Sequence, residues 1–400
     1  MMGDLLFLAH RIPFPPDRGD KIRSFHELRH LAGLGRVHLA CFADDEADAA
    51  NLAGLRAALG PALGEAHVEV RRTSKVAAGV RALAEGRPVS LTLFDSPALR
   101  AFVARLHGSG RIGTIFAFSS QMAQFVPAGA RFVMDFIDVD SAKFEAYGEE
   151  GGAMALVHRR EGAKLAAFER ATAARADVSL FVSDAEAALF RQRSGLESTD
   201  IRGLQNGVDL DYYDPSAAFE RIDEPGPLIV FTGQMDYAPN IDAVRWFAGE
   251  VMPRLPEGRF AIVGRKPVDP VLRLAGPRVT VTGAVPDVRS WLAAADVVAA
   301  PLRIARGIQN KVLEAMAMAR PVVASPAAFE GIEAEPGRHL FVAGTAEAQA
   351  EAIAGLLGDP QRARVLGQAA RRRMEQAYRW DARLAPLAGI VGAVPSRAAA

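Results

Sequence analysis

The chain has 400 residues, of which 50% are hydrophobic and 24% are charged, as expected of a globular protein large enough for two domains. Its 47 basic and 47 acidic residues give a formal net charge of zero, so the electrostatic footprint of a nucleic-acid-binding protein is missing. Cys41 is the single cysteine, which excludes an intrachain disulfide and a thiolate metal cluster and fits a reducing cytoplasm.

Hydropathy indicates neither a membrane-spanning segment nor an export signal. The apolar run at 5–9 is too short for the core of a signal peptide, and no other run approaches 18 residues. We therefore expect a cytoplasmic protein, with peripheral contact at the inner membrane as its closest approach to a bilayer. The run Arg371-Arg372-Arg373 indicates a solvated helix face, with contact to lipid headgroups as the alternative.

Strands and helices alternate through the first half of the chain, which is typical of parallel βαβ construction. The run at 5–9 predicts a strand buried on both faces, and a helix is expected from Asp20 to Gly33 or Gly35. Further along, a helix is expected from about 45 to 59 and a strand at 68–70. Gly19 lies between this strand and this helix, where doubly wound folds bind phosphates or substrates. The alternative is a glycine that only the turn requires.

A literal GxGxxG occurs at 108–113, the spacing of a dinucleotide fingerprint. The fingerprint needs a strand before it and a helix after it. Here a predicted helix (96–107) precedes the glycines and a predicted strand (114–118) follows them. We therefore expect no nicotinamide or flavin site at this position.

Three carboxylates follow directly on an apolar strand that begins near residue 131. Asp135 and Asp138 are candidates to contact a sugar or to stabilise a cationic transition state, because α/β sites form at the carboxyl ends of strands. Asp140 or Ser141 is suited to begin the next helix. Neither a histidine nor a second acidic cluster completes a coordination set nearby, so we expect no metal.

A second α/β run follows the irregular segment 206–227, which contains three prolines and is expected to be the domain hinge. Strands are predicted at 228–232 and around 260–263, and both end at a glycine, Gly233 and Gly264. Arg265 follows the second strand and is a candidate to bind a diphosphate, with a surface role as the alternative.

The segment 301–325 is the most informative stretch of the chain. A predicted strand ends at Pro301, and the turn Gly307-Ile308-Gln309-Asn310 leads into a helix that Pro321 ends. A helix start offers backbone N–H groups to anions, and Lys311, a cation placed against the helix dipole, is best explained by an anion bound there. Glu314, one turn on, is placed to accept hydrogen bonds from ligand hydroxyls. An ordinary solvated Lys-Glu pair is the alternative.

Several phrases of the sequence resemble glycosyltransferase family 4. More narrowly, the chain resembles the sugar transferases associated with exosortase and PEP-CTERM exopolysaccharide systems. The phrases extend from RIPFPPDRGDKIRSFHEL, at 11–28, to EGI at 330–332, and the most specific are NGVD at 206–209, GQMDYAPN at 233–240, VGR at 263–265 and GIQNKVLEAMAMARPVV from Gly307.

The resemblance implies an α/β protein of the GT-B fold, with two Rossmann-like, doubly wound parallel-sheet domains that face each other across a cleft. It implies retaining transfer from a nucleotide-diphosphate sugar to a lipid-linked or polysaccharide acceptor, without a cofactor or a required metal. By position, Glu314 would bind the ribose hydroxyls and Gly307 and Ile308 would offer amides to the donor sugar. Gly19 would lie beside the donor phosphates, and the remaining residues expected at the donor are Gly233, Gln234, Arg306, Gln309 and Asn310.

Two departures from the family pattern concern charge. Family 4 commonly has a glutamate eight residues before the position of Glu314, where this chain has Arg306. It also commonly has an arginine and a lysine where Gln234 and Asn240 stand. We expect Lys311 and Arg265 to replace the positive charge missing from that turn, and we count both with Asp135 and Asp138 as catalytic candidates.

The predicted domains are an acceptor domain at 1–206 and a nucleotide-sugar donor domain at 207–376, with the helices from about 377 packing back onto the first domain. Two alternatives to transfer remain open. One is a nucleotide-sugar 2-epimerase on the same fold, and the other is a catalytically silent nucleotide-sugar-binding scaffold.

Overall fold

The computed structural model describes residues 3–149, 151–152, 154–305 and 307–392. They form two compact units. Unit 1 comprises the described residues up to Gln205 and those from Leu384 onward, and unit 2 comprises Asn206–Arg383. No helix among the described residues is long and apolar enough to cross a membrane.

Unit 1 is built on a seven-stranded parallel sheet in the order β3-β2-β1-β4-β5-β6-β7. Its strands are β1 (Asp4–Ala9), β2 (Val37–Ala43), β3 (Leu63–Val70), β4 (Ile112–Phe118), β5 (Phe132–Ile137), β6 (Val178–Phe181) and β7 (Ile201–Gly203). Its helices up to residue 194 are α1 (Gly19–Leu34), α2 (Glu46–Ala50), α3 (Leu52–Leu59), α4 (Lys75–Glu85), α5 (Val89–Leu93), α6 (Pro97–Gly108), α7 (Asp140–Glu149), α8 (Ala155–Ala173) and α9 (Asp184–Ser194), with short 3₁₀ turns at Gly60–Ala62 and Ser120–Phe125.

Unit 2 is built on a six-stranded parallel sheet in the order β10-β9-β8-β11-β12-β13. Its strands are β8 (Leu228–Thr232), β9 (Arg259–Val263), β10 (Val279–Gly283), β11 (Val297–Ala300), β12 (Val322–Ala324) and β13 (Phe341–Val342). Its helices are α10 (Ala238–Trp246), α11 (Asp269–Leu272), α12 (Val288–Ala294), α13 (Asn310–Ala317), α14 (Pro326–Phe329), α15 (Ala346–Leu357) and α16 (Pro360–Ala377), with a π-helical turn at Phe247–Val251 and a 3₁₀ turn at Met252–Arg254. A helix α17 (Trp380–Leu384) ends at the unit boundary, and α18 (Pro386–Ile390) belongs to unit 1.

The central strands are apolar because helices cover both faces of each sheet. Every residue of β8 is buried, as are all residues of β1 after Asp4. Such strands lose the alternation of polar and apolar residues that marks a half-exposed strand. The alternating parallel organisation and the two Rossmann-like units predicted from the sequence are confirmed.

Two predicted elements needed correction, and one strand was missed. The single helix expected at 45–59 is two helices, α2 and α3, that meet at Asn51. The strand expected at 68–70 begins five residues earlier, at Leu63, and the short strand β7 was not predicted at all. The glycines at 108–113 lie between α6 and β4, the reverse of the dinucleotide-binding order, as the sequence predicted.

The order of the strands reverses direction once in each unit, between β1 and β4 in unit 1 and between β8 and β11 in unit 2. The loops that leave neighbouring strands at such a point run to opposite sides and leave a crevice at the carboxyl ends of the strands. In unit 2 these loops begin with Gly233 after β8 and Pro301 after β11. The two glycine-containing segments singled out in the sequence therefore border the same crevice.

A close backbone approach fixes the shape of this edge. Gly264 has a φ of +152°, and a methyl group on its Cα would lie 1.7 Å from the carbonyl oxygen of Gly233. The amide of Gly233 donates to the carbonyl of Val263 at 3.0 Å, and the amide of Met235 donates to that of Arg265 at 2.9 Å. Only glycine leaves room for both strands to end this close together.

We predict that Gly264→Ala destabilises the protein by roughly 3 kcal/mol, because the new methyl group must displace the Gly233 turn. Gly249→Ala is the matched control, since a methyl group there meets nothing within 4 Å. Urea unfolding followed by circular dichroism measures both. Equal midpoints for the two variants would contradict the close approach.

Candidate functional site

The ammonium group of Lys311 lies in the crevice of unit 2. Its Nζ donates to Oδ1 of Asn240 at 2.6 Å and lies 4.2 Å from the centroid of the Phe231 ring. A methyl group on Gly233 would come within 3.0 Å of the same Nζ. The side chain therefore connects the first turn of α13 to the end of β8, although 80 residues separate Lys311 from Phe231.

Burial lowers the pKa of Lys311 to about 7, and the charge of Glu314 offsets part of this effect. The ammonium accordingly loses its proton near neutral pH in the ligand-free protein. An anion bound beside it would restore the ordinary preference for the charged form. This lysine thus has the electrostatics of a site that is completed by a negative ligand.

The chain around the start of α13 is shaped for a close backbone approach. Gly307 has a φ of +66°, and the Gln309 side chain donates to the Gly307 carbonyl at 3.1 Å. Asn310 begins the helix, and its Oδ1 accepts from Nδ2 of Asn206 at 3.2 Å. Ile308 is buried, which anchors the turn. No side chain caps the start of α13 among the residues that the structure describes.

Glu314 lies one turn after Lys311, and Tyr213 donates a hydrogen bond to its carboxylate. Burial raises the pKa of Glu314, while the Tyr213 hydrogen bond and the Lys311 charge act in the opposite direction. The phenol proton of Tyr213 is held firmly, because burial and the Glu314 charge raise the pKa of Tyr213 well above its ordinary value. Tyr213 thus fixes the orientation of the carboxylate.

Two further candidates of unit 2, Gln234 and Arg265, follow the strands β8 and β9. Gln234 donates from Nε2 to Asp236 at 2.6 Å, and its carbonyl accepts from Nδ2 of Asn240 at 2.9 Å. Arg265 follows Gly264 at the end of β9 and is partly exposed. Arg306 lies outside the described residues.

In unit 1, Gly19 begins α1 and is exposed, next to a network of charges. The carboxylate of Asp20 accepts from Arg18 at 2.7 Å and from Arg11 at 2.8 Å, and it lies 3.2 Å from Nε2 of His10. Burial acts to raise the pKa of Asp20, but His10 and Arg18 hold it far below its ordinary value. The carboxylate remains charged and fixes the loop that leads into Gly19.

Asp135 is fully buried on β5, and each of its oxygens has a partner. Oδ2 accepts from Nε of Arg23 at 2.7 Å, and Oδ1 accepts from the amide of Ile137 at 2.9 Å. Nε of Arg23 also lies 3.1 Å from Oε1 of Glu27, and Nη1 of Arg23 donates to the carbonyl of Leu204 at 2.7 Å. Burial, and then the charge of Asp135, raise the pKa of Glu27 well above its ordinary value, which favours the neutral form of this carboxyl group.

Asp138 lies beyond the end of β5 and is partly exposed, unlike Asp135. Burial, and then the charges of Glu186 and Asp140, raise its pKa to about 7. The Glu186 carboxylate is held nearby by the amide of Val139 at 2.9 Å. Asp138 can therefore take up or release a proton near neutral pH. Among the described residues, no group of three His, Cys, Asp or Glu side chains is arranged to hold a metal ion.

One family model matches the part of unit 2 that carries Lys311. Residues 226–359 match the model described as "Glycosyl transferases group 1". This stretch of unit 2 is therefore similar to the group 1 glycosyltransferases. The match covers β8 to the end of α15, and so includes Gly233, Lys311 and Glu314. It indicates a glycosyltransferase.

Solved structures share the fold over nearly the whole chain. Sucrose-phosphate synthase from Thermosynechococcus elongatus is 18% identical, with a TM-score of 0.70 over 97% of this chain and 98% of that one. WaaG, a glycosyltransferase of lipopolysaccharide biosynthesis, is 18% identical, with a TM-score of 0.68 over 97% and 100%. HepE from Anabaena is 17% identical, with a TM-score of 0.66 over 98% and 100%. The GT-B fold expected from the sequence is confirmed, while the search of curated proteins finds no match.

Sequence analysis missed several side chains that contact the candidate residues of the two units. Asn240 contacts Lys311, Tyr213 contacts Glu314, and Arg23 contacts Asp135. The two residues of each contact are far apart in the sequence.

The run at 371–373 is not simply a solvated face. Nη1 of Arg371 donates to the carbonyl of Tyr213 at 2.7 Å and to that of Ala317, at the end of α13, at 2.9 Å.

The Arg23 network yields a paired prediction. Arg23→Leu should cost about 3–5 kcal/mol of stability, since it leaves the Asp135 carboxylate buried without its cation. Glu27→Gln should change stability by less than about 1 kcal/mol at pH 7, because burial and the Asp135 charge favour the neutral carboxyl group, which glutamine resembles. Urea denaturation of both variants distinguishes these effects. A Glu27→Gln loss as large as that of Arg23→Leu would show that Glu27 is charged.

Proposed function

We propose that the protein is a retaining glycosyltransferase that moves a sugar from a nucleotide-diphosphate sugar to a lipid-linked or polysaccharide acceptor in exopolysaccharide biosynthesis. The observation that carries the proposal is Lys311, whose ammonium lies at the switch point of unit 2 with a pKa near 7. A cation in that position, next to the open turn of Gly233 and a helix start, matches the charge and size of a diphosphate.

The donor class has independent support from similar structures. HepE from Anabaena has been solved in complexes with UDP, with UDP and glucose, and with UDP-glucose. Residues 226–359, which match the family model, include the residues assigned to the donor except Gly19 in unit 1. The exopolysaccharide role rests on the resemblance of the sequence phrases.

In the proposed reaction the bond between the anomeric carbon and the phosphate oxygen breaks, and the electron pair leaves with the diphosphate. An acceptor hydroxyl attacks the same face of the sugar and passes its proton to the departing phosphate oxygen. This step needs no dedicated protein base. Its main requirement is fixed positive charge on the diphosphate, which Lys311 and Arg265 supply.

Each remaining residue has a defined part. The amides of Gly307 and Ile308 contact the donor sugar, and the Glu314 carboxylate, oriented by Tyr213, binds the ribose hydroxyls. Gln309, Asn310, Gln234 and Arg306 complete the donor residues. Gly19 lies beside the donor phosphates, Asp138 stabilises the cationic sugar, and Asp135 acts as a positioning residue, since it is fully buried.

The Lys311 contact also accounts for the departure from the family pattern. Asn240 stands where family 4 commonly has a lysine, and its Oδ1 accepts from the Lys311 ammonium at 2.6 Å. We infer that the charge normally carried by that turn is supplied here from α13. Asn240 then positions the ammonium instead of carrying the charge itself.

Glu314→Ala tests the donor site, because it removes the hydrogen bonds of a charged group to the ribose. We expect kcat/KM for transfer or donor hydrolysis to fall about 10- to 100-fold. Glu351 is exposed on α15, and Glu351→Ala should leave kcat/KM for transfer and for donor hydrolysis unchanged. Product analysis separates the alternatives: an epimerised donor indicates a 2-epimerase, and a wild type that binds donor without turnover indicates a scaffold.

The pKa of Lys311 predicts a pH-dependent affinity. The diphosphate binds the protonated amine, so above pH 7 binding requires proton uptake and the Kd should rise by up to tenfold per pH unit. Titration calorimetry with a nucleotide-diphosphate sugar, from pH 6 to 9, measures this. Lys311→Arg should flatten the profile, because arginine stays charged. A flat wild-type profile would contradict the assignment.

A further inference from the structure

Large exposed apolar side chains are concentrated on one part of unit 1. On α4, Val76 is 78% exposed and Val80 and Leu83 are each 66% exposed. Their spacing of four and three residues places them on one face of the helix, opposite the buried Ala78 and Ala82. The apolar side chains of a helix usually pack against the protein core, so this exposed apolar face is a candidate interaction surface.

A second group of exposed apolar side chains begins α8. Leu156 is 78% exposed and Val157 is 45% exposed, and Met154 just before the helix is 54% exposed. Together the two segments hold six of the eleven large apolar side chains that are exposed among the described residues. Exposed apolar residues that occur singly need no explanation, but a contiguous group marks an interaction surface.

Hydrogen bonds join the two segments. Arg160, one turn after Leu156, donates from Nη2 to the carbonyl of Ala82 at 2.8 Å and to that of Arg87 at 3.3 Å. The buried Glu161 accepts from the amides of Val89 and Ser90 at 2.9 and 3.2 Å. These bonds place the start of α8 beside the C-terminal end of α4. We call the exposed residues of these two neighbouring segments the α4-α8 surface.

The charge of the α4-α8 surface identifies its partner. The segments 71–87 and 154–164 contain eight basic residues and two acidic ones, Glu85 and the buried Glu161, in a chain whose net charge is zero. Neighbouring segments add three carboxylates, those of Asp44 on Arg71, Glu46 on Arg72 and Asp95 on Arg81, so that eight basic residues face five acidic ones and the balance stays positive. A second copy of the same surface would meet this one with like charge, whereas an anionic lipid surface complements it.

We propose that the α4-α8 surface binds the surface of an anionic lipid bilayer. The apolar side chains enter the boundary between headgroups and acyl chains, while the basic side chains, Lys75 and Lys164 among them, contact the headgroups. This extends the proposed use of a lipid-linked acceptor, since it would hold the enzyme where such an acceptor resides. The bilayer contact itself does not depend on the chemistry at Lys311.

Flotation of the full-length protein with vesicles tests the proposal. Wild type should float with vesicles of phosphatidylethanolamine and phosphatidylglycerol at 3:1, and it should float poorly with pure phosphatidylcholine or at 0.5 M salt. The triple variant V76S/V80S/L83S should lose at least tenfold in apparent partition coefficient. Lys75→Gln and Lys164→Gln should each lose about fivefold.

Val365→Ser is the matched control, because Val365 is 52% exposed on α16 of unit 2, away from the α4-α8 surface in the sequence and in the other unit. All variants change exposed positions, and circular dichroism with thermal melting verifies their folding. The melting-temperature shift caused by a nucleotide-diphosphate sugar should be the same in the triple variant as in wild type. Loss of that shift in wild type would count against the proposed function and leave the bilayer contact standing.

Two results would overturn the bilayer contact. The first is a triple variant that floats as well as wild type. The second is a wild-type protein that fails to float with the anionic vesicles. In that case analytical ultracentrifugation is informative, since the wild type could be a dimer while the triple variant is monomeric. That outcome would assign the surface to a second copy of the chain.

Discussion

The ammonium of Lys311 is the group on which this account of the protein depends. It lies in the first turn of α13, where the positive end of the helix dipole opposes it, and it is partly withdrawn from water. It contacts the face of the Phe231 ring and the amide oxygen of Asn240. Burial lowers its pKa to about 7, and the charge of Glu314 offsets only part of this effect. Burial therefore disfavours the charged form of Lys311, and a bound anion would offset this cost.

The rest of unit 2 serves to hold this arrangement. The turn at Gly233 stays open beside the ammonium: a methyl group on Gly264 would meet the Gly233 carbonyl, and one on Gly233 would meet the ends of the Asn240 and Lys311 side chains. Tyr213 orients Glu314 from outside the matched domain, and Arg371 joins the Tyr213 backbone to the end of α13. The start and the end of one short helix are thus fixed by residues more than 50 positions away on either side.

Most of the fold was predictable because it follows from local patterns. The apolar runs of β1 and β8 fit strands buried on both faces. Ser183 stands three residues before Glu186, the spacing of a capping box, and it accepts from the Glu186 amide at 3.2 Å at the start of α9. The donor residues were found through the loop and helix at 307–314. Their partners were not, because nothing in the sequence near Lys311 or Asp135 indicates that Asn240 or Arg23 lies within hydrogen-bonding distance. Glu186 shows the same limit, since its spacing indicates a capping box while its carboxylate bonds to Val139 instead.

Competitive labelling of the six lysines with a trace amine-reactive reagent, read by mass spectrometry, tests the central claim most directly. Without ligand, the labelling of Lys311 should follow a titration near pH 7. A nucleotide-diphosphate sugar that raises the melting temperature should protect Lys311, while Lys75 and Lys164 in unit 1 react as before. If that ligand binds and the reactivity of Lys311 does not change, the diphosphate is bound elsewhere and the account is wrong.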